Sequence, residues 1–189
     1  MNESGPSMAL PKGSLLLLGA MAFVVFLAEG AVLDWSAVFL TDIRSLNPST
    51  AALGYGSFAL TMTVTRLMGD TVVDRLGRGR AITLGTSLAT LGFATLTLAP
   101  TWQASLAGYV LLGLGCANIV PALLSLAGRH ASMPPNLAVT SAATVGYLGI
   151  LAGPAAIGLV AGHFGLIFAF LAVTLLLACT AFGSRWLLR

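Results

Sequence analysis

Two long stretches of this chain carry no charged residue, and they constrain the fold more than any other feature. No Asp, Glu, Lys or Arg occurs in residues 81–128 or in residues 131–184. A helix that crosses a bilayer needs about 20 mostly apolar residues, so each stretch is long enough for two crossings. Only 8% of the 189 residues are charged, whereas soluble domains contain about 25% charged residues. The sequence therefore predicts an all-α integral membrane protein.

Turn signals and charged segments divide the chain into six predicted transmembrane helices. A flexible cytoplasmic lead is expected at residues 1–13 and a membrane domain at residues 14–189. Within this domain the six helices are predicted at residues 14–40, 51–68, 81–99, 104–127, 137–161 and 166–187. The strands of a membrane barrel are about 10 residues long and alternate in polarity, unlike these segments. A cleaved signal peptide is the alternative interpretation of the first segment.

The positive charges lie mostly on one side of this predicted topology. With a cytoplasmic N-terminus, only Arg44 lies outside, and the cytoplasmic side holds Lys12, Arg75, Arg78, Arg80, Arg129, Arg185 and Arg189. Cytoplasmic loops of membrane proteins carry an excess of Lys and Arg. The sequence thus predicts a multi-pass protein of the plasma or inner cell membrane with both termini in the cytoplasm.

Several function classes are disfavoured by the residues present. The net charge of +3 comes without a basic patch interleaved with aromatic residues, so no nucleic-acid partner is predicted. Cys116 and Cys179 lie in apolar segments without metal-ligand spacing, and neither a metal nor a cofactor is predicted. The chain contains no zinc-protease, serine-elbow or phosphate-loop motif. We therefore predict no catalytic residue and no enzyme, and expect the lipid bilayer and a small-molecule solute as partners.

A charged segment between the second and third predicted helices carries the most specific motif. It reads G-D-T-V-V-D-R-L-G-R-G-R, is expected to form a loop, and contains Gly69, Asp70, Asp74, Arg75, Gly77, Arg78 and Arg80. It resembles the major facilitator signature G-[DX]-x-x-x-D-R-x-G-R-[RK]-[RK], except that Gly79 replaces a basic residue. The resemblance implies a gating motif that stabilises one closed arrangement of the cytoplasmic side. A plain, positively charged cytoplasmic loop is the alternative.

The resemblance also implies a fold and an activity. Major facilitator proteins have twelve helices in two six-helix halves, each an inverted 3+3 repeat, and transport solutes by alternating access. Residues 26–36 resemble the seventh helix of sugar-permease-like bacterial permeases, which favours the C-terminal half. The resemblance implies transport of a small polar solute, with a second six-helix half or a homodimer partner. The alternative is a truncated or remnant half without independent transport.

Polar residues inside the predicted spans are candidates for a solute or proton pathway, because ionisable groups in a bilayer are costly. They are Glu29, Asp34, Arg66, Asn118 and Tyr147. Asp34 points about 140° away from Glu29 on a helix, so the two acids do not share one narrow face. Each candidate also has a structural alternative, which for Arg66 is pairing with Asp70 one turn later.

Three further residues predict bends in the helices. Pro121 lies inside the fourth predicted span, and Gly153 and Pro154 lie inside the fifth. A proline in a helix removes one backbone hydrogen bond and crowds the carbonyl four residues earlier. In a transporter such bends are expected where helices rock or line a cavity.

Overall fold

The computed structural model describes residues 13–129 and 133–187, and this part of the chain consists of helices joined by short connections. The lead predicted at residues 1–13 lies outside the described residues except for Gly13. The helices are α1 (Ser14–Val38), which continues into a π-helix, π1 (Phe39–Ile43), then α2 (Leu53–Leu67), α3 (Gly69–Leu76), α4 (Arg78–Leu98), α5 (Trp102–Cys116), α6 (Ile119–Ala127), α7 (Pro135–Phe164) and α8 (Leu166–Leu187).

The predicted class, an all-α membrane protein, is confirmed, and the helices are consistent with the six predicted crossings. Within the described residues, five helical segments are long and apolar enough to span a bilayer: Ser14–Ile43, Arg78–Leu98, Trp102–Ala127, Pro135–Phe164 and Leu166–Arg185. The remaining predicted crossing corresponds to α2, which has 15 residues and is followed directly by α3.

The expected loop at residues 69–80 is wrong, because most of this segment is helical. After a break at Met68, with φ −96° and ψ 2°, the chain forms α3 and then enters α4. The whole reversal between α3 and α4 takes place at Gly77, whose φ is 77°. A side chain would strain that backbone conformation, so a glycine here removes the need for a longer loop.

Glycines on both helices allow α4 and α5 to pack closely against each other. A Cβ atom at Gly92 would collide with the backbone nitrogen of Leu112, and one at Gly108 would collide with that of Leu96. Lipid tails are as apolar as leucine, so helices in a bilayer associate through close packing. The paired glycines therefore set how closely α4 and α5 approach.

Aromatic rings fill the space where α1, α4 and α8 meet. The Phe39 and Phe170 rings stack with their centroids 4.8 Å apart, and Phe93 meets Phe170 edge-on at 5.3 Å. All three side chains are fully buried. By contrast, Leu151 and Leu159 on α7 are 74% and 69% exposed, as expected of a helix surrounded by hydrocarbon or by another apolar bundle.

Candidate functional site

The fourth predicted span is two helices, α5 and α6, separated at Ala117 and Asn118. Pro121 lies three residues beyond Asn118 and has no backbone N–H, so it cannot donate to the carbonyl of Ala117 four residues earlier. Ala117 is fully buried, and a buried carbonyl without a donor is costly. The break therefore creates a polar backbone group inside the bilayer that requires a partner.

Arg66 of α2 supplies that partner. Its Nε donates a hydrogen bond of 3.1 Å to the Ala117 carbonyl oxygen, across 51 residues of sequence. The bond uses one N–H of the guanidinium group, which has five. Arg66 thus replaces the donor that Pro121 lacks, and its other N–H groups remain available to a further acceptor.

Glu29 of α1 lies near the same break. Its carboxylate is close enough to Arg66 for an electrostatic interaction, and its Oε1 atom is buried without a hydrogen-bond partner among the described residues. Cys116, at the end of α5, is fully buried and lies within electrostatic range of both Glu29 and Arg66. Three separate elements therefore bring an acid, a base and a helix break into one cluster, which we call the polar cluster (Glu29, Arg66, Ala117 and Asn118).

Asn118 links the polar cluster to the motif. The side-chain oxygen of Asn118 lies against Gly69, and a Cβ atom at Gly69 would collide with it. Gly69 begins α3 just after the Met68 break, so the discontinuity between α2 and α3 abuts the one between α5 and α6. With glycine at this position the Asn118 amide can lie directly against the backbone of α3, and any side chain there would force the amide to move aside.

The other motif residues lie around α3 and the start of α4. Asp70 is in α3, and its side chain lies outside what the structure describes. Asp74, Arg75 and Arg80 are exposed. Arg78 is partly buried and its Nε donates to the Ser125 hydroxyl of α6 over 3.0 Å. The motif therefore contacts the membrane span formed by α5 and α6 at two places, through Gly69 at Asn118 and through Arg78 at Ser125.

The remaining pathway candidates do not join the polar cluster. Asp34 is exposed on α1. Tyr147 of α7 stacks on Phe26 of α1 with ring centroids 5.1 Å apart and is 54% exposed. Gly153 is buried against Leu27, and Pro154 lies inside α7, which remains one helix from Pro135 to Phe164.

A groove on one face of α2 borders Arg66. Its volume is about 330 Å³, and it is lined by Tyr55, Phe58, Ala59, Met62, Thr63, Arg66 and Leu67. These residues recur at helical spacing along a single face. The groove combines aromatic surface, the hydroxyl groups of Tyr55 and Thr63 and the Arg66 cation, so it offers both polar and apolar contacts. No group of three or more His, Cys, Asp or Glu side chains placed to bind a metal occurs within residues 13–129 and 133–187.

Arg44 is a structural residue that the sequence prediction counted only as an outside charge. Its Nη2 donates to the Thr97 carbonyl over 2.6 Å, and its Nε donates to the Ser105 hydroxyl over 3.1 Å. The guanidinium also lies 4.8 Å from the centre of the Phe39 ring. Because Thr97 is in the last turn of α4, Arg44 satisfies an orphan carbonyl at the negative end of that helix.

We expect Arg44→Gln to lower the free energy of unfolding by about 1–2 kcal/mol, since a partly buried charge-assisted hydrogen bond is lost. Unfolding by sodium dodecyl sulfate, titrated in mild detergent, would measure the change. Arg80→Gln is the matched control, because Arg80 is an exposed arginine at the other end of α4. Equal stability of the two variants would contradict the capping role of Arg44.

Membrane-spanning helices, two abutting helix breaks and an intramembrane acid and base define a multi-pass membrane protein with an internal polar site. A family model described as the Major Facilitator Superfamily matches residues 14–189. An uncharacterised MFS-type transporter of Yersinia pestis is 45% identical over 183 residues, which are 97% of this chain and 48% of the relative. The membrane protein MosC of Rhizobium meliloti is 34% identical over 170 residues, or 88% of this chain and 42% of MosC.

A likeness to solved structures concerns the fold alone. A mutant of the peptide transporter POT in complex with sulfate superimposes with a TM-score of 0.80 at 14% identity, over 93% of this chain and 39% of that one. POT in complex with alafosfalin gives a TM-score of 0.76 at 16% identity, over 91% of this chain and 37% of that one.

This chain belongs to the major facilitator superfamily, as the motif predicts. It spans about half the length of the curated relatives it matches. Its helices correspond to one six-helix half of that fold, as predicted from the sequence. That this half is the C-terminal one stays a prediction.

Proposed function

We propose that this chain forms one half of a transporter that moves a small polar solute across the cell membrane by alternating access. The observation that most supports this proposal is the polar cluster, where Glu29 lies within electrostatic range of Arg66 and Arg66 contacts a helix break. Ionisable groups inside a membrane are expensive and are generally kept for solute or ion pathways. A purely structural bundle gains little from burying the Oε1 atom of Glu29 without a hydrogen bond.

We assign distinct roles to the residues around the proposed pathway. Glu29 binds the solute or carries a proton, and Arg66 presents its remaining donors to the α2 groove. Asn118 joins this pathway to the gate at Gly69. Asp34 and Tyr147 are proposed for its outer and lateral parts, and Pro121, Gly153 and Pro154 for the helix positions that accommodate rocking.

The proposed topology places the chain in the inner or plasma membrane with both termini in the cytoplasm. The motif residues then lie on the cytoplasmic side, where Gly69 and Arg78 contact the α5–α6 crossing in the closed arrangement. The excess of Lys and Arg on this side supports the orientation. Modification of single introduced cysteines in intact cells would test it: reagents that do not cross membranes should label position 42 and not position 80.

Alternating access requires a second wall around the site. We propose that this wall is a second six-helix half or another copy of this chain. The mass of the detergent-solubilised complex tests the assembly: two six-helix bundles are expected. A monomer that transports nothing would favour the alternative function, a half without independent transport.

Glu29→Gln is expected to abolish solute-driven proton movement and to flatten its pH dependence, because the amide cannot exchange a proton. The assay uses the assembled protein in vesicles that contain a pH-sensitive dye, with sugars, amino acids and organic acids added outside. Asp42→Asn is the control, since Asp42 is an exposed acid in π1. Unchanged rate and pH dependence in Glu29→Gln would rule out proton coupling through this residue.

A further inference from the structure

A second groove lies between α4 and α8, and no residue of the polar cluster lines it. Its volume is about 370 Å³, and Leu91 of α4 with Ala178, Ala181 and Phe182 of α8 form its apolar walls. Leu91 and Phe182 are 60% and 65% exposed. In a protein whose solvent is the bilayer, such a surface faces lipid chains, so the groove is open to the hydrocarbon.

The groove forms because α8 has small side chains next to the point where it is hydrogen-bonded to the first part of α4. The buried hydroxyl of Ser184 on α8 lies 2.9 Å from the Thr83 hydroxyl on α4. One turn and two turns before Ser184, Ala181 and Ala178 replace the larger side chains that would fill the adjoining space. The helices are thus joined at the Thr83 level and leave a furrow beyond it.

The hydroxyl groups in this furrow need nothing from an occupant. Ser87 donates to the Thr83 carbonyl over 2.7 Å, and Thr90 donates to the Thr86 carbonyl over 2.7 Å. Serine and threonine in helices commonly satisfy their donors in this way. An apolar chain can therefore fill the furrow without leaving a donor unpaired.

Among the described residues that line the groove, one is a cation. Arg185 lines it, is exposed and lies in the last turn of α8. No Asp or Glu follows Asp74 in the sequence, so neither α4 nor α8 carries an acid. An anion for Arg185 must therefore come from another element or from outside the chain, and guanidinium groups bind phosphate in a two-point geometry.

We propose that this groove binds one anionic phospholipid of the cytoplasmic leaflet, with an acyl chain between α4 and α8 and the phosphate on Arg185. Charge complementarity supports this occupant, because the apolar groove between two membrane helices ends at the cation of Arg185. Juxtamembrane arginines attract anionic lipids. The assignment to the cytoplasmic leaflet rests on the proposed topology. The groove itself does not depend on transport, because none of its lining residues belongs to the polar cluster.

Native mass spectrometry of the full chain tests this site. The protein is released from detergent with equal amounts of dioleoyl phosphatidylglycerol and dioleoyl phosphatidylcholine, which share acyl chains and differ in charge. We expect one retained phosphatidylglycerol, and about a fivefold loss of that preference in Arg185→Gln, from about 1 kcal/mol per basic residue at the surface. Arg129→Gln, which removes an exposed arginine after α6, should keep the preference.

A second pair of variants tests the apolar part of the groove. Ala178→Leu fills the furrow and should reduce retention of both lipids, whereas Ala172→Leu, an exposed position on the same helix, should not. Equal retention of the two lipids, or a preference that survives Arg185→Gln, would overturn the proposal. So would a lipid-free dimer that Ala178→Leu dissociates, since the occupant would then be a second copy.

Discussion

Gly92→Ala is expected to lower the free energy of unfolding by about 2–3 kcal/mol, the upper end of the range for overpacking a well-filled contact. The new Cβ atom would collide with the backbone nitrogen of Leu112, and a backbone atom cannot rotate away as a side chain can. The helices α4 and α5 must then separate along their length. The loss of close contact exceeds the gain of up to about 1 kcal/mol that alanine normally brings to a helix. Unfolding in mixed detergent micelles measures the difference.

Gly183→Ala is the matched control for this prediction. Gly183 lies inside α8, and nothing lies within 4 Å of a Cβ atom placed there. The same chemical change should therefore stabilise the protein by about 0.5–1 kcal/mol, the intrinsic helix preference of alanine over glycine. Similar effects of the two substitutions would mean that the glycine contacts do not limit the approach of α4 and α5.

Arg66→Met should destabilise the protein by about 1–3 kcal/mol, the cost of leaving a buried carbonyl without a donor. The carbonyl in question is that of Ala117, which Arg66 contacts over 3.1 Å. The same variant is expected to lose transport, because the guanidinium also borders the α2 groove. Stability in detergent and uptake into vesicles are measured on the same preparations.

A double-mutant cycle with Pro121→Ala separates the two roles of Arg66. Alanine at position 121 restores the N–H that proline lacks, so the Ala117 carbonyl has a donor within its own helix. In that background the stability cost of Arg66→Met should fall by the part that comes from the Ala117 carbonyl. The difference between the two costs isolates this part, because any effect on Glu29 is present in both backgrounds and cancels in the difference. Transport should stay lost if Arg66 also serves the solute. A stability cost that persists unchanged would show that the Ala117 hydrogen bond is not what Arg66 contributes.

The sequence predicts the class of protein well because a membrane crossing is determined by residues that are consecutive in the chain. Each crossing depends on about 20 consecutive apolar residues, and the stretches at 81–128 and 131–184 have no charge to interrupt them. The family resemblance likewise depends on residues 69–80, where the spacing of glycines, acids and arginines is visible in one short segment. Glu29 and Arg66 stand out for the same reason, since each is an ionisable residue in an apolar run.

The prediction of a loop for the motif, residues 69–80, was wrong. The charges of residues 69–80 indicate a loop, whereas the chain forms α3 and reverses at one residue, Gly77. Charged residues such as Arg75 are good helix formers, and a glycine with positive φ allows a single-residue reversal. Charge marks where a segment leaves the bilayer, and it does not decide whether that segment is helical.

Only the docking of the helices determined which polar groups meet. Arg66 donates to the Ala117 carbonyl, 51 residues away in the sequence. Arg44 donates to the Thr97 carbonyl, 53 residues away. The Asn118 side chain packs against Gly69. Composition places each of these residues in or beside the membrane but carries no information on which helices become neighbours. That choice depends on close packing between specific faces, such as the glycines of α4 and α5, because hydrocarbon gives apolar helices no other reason to prefer one neighbour over another.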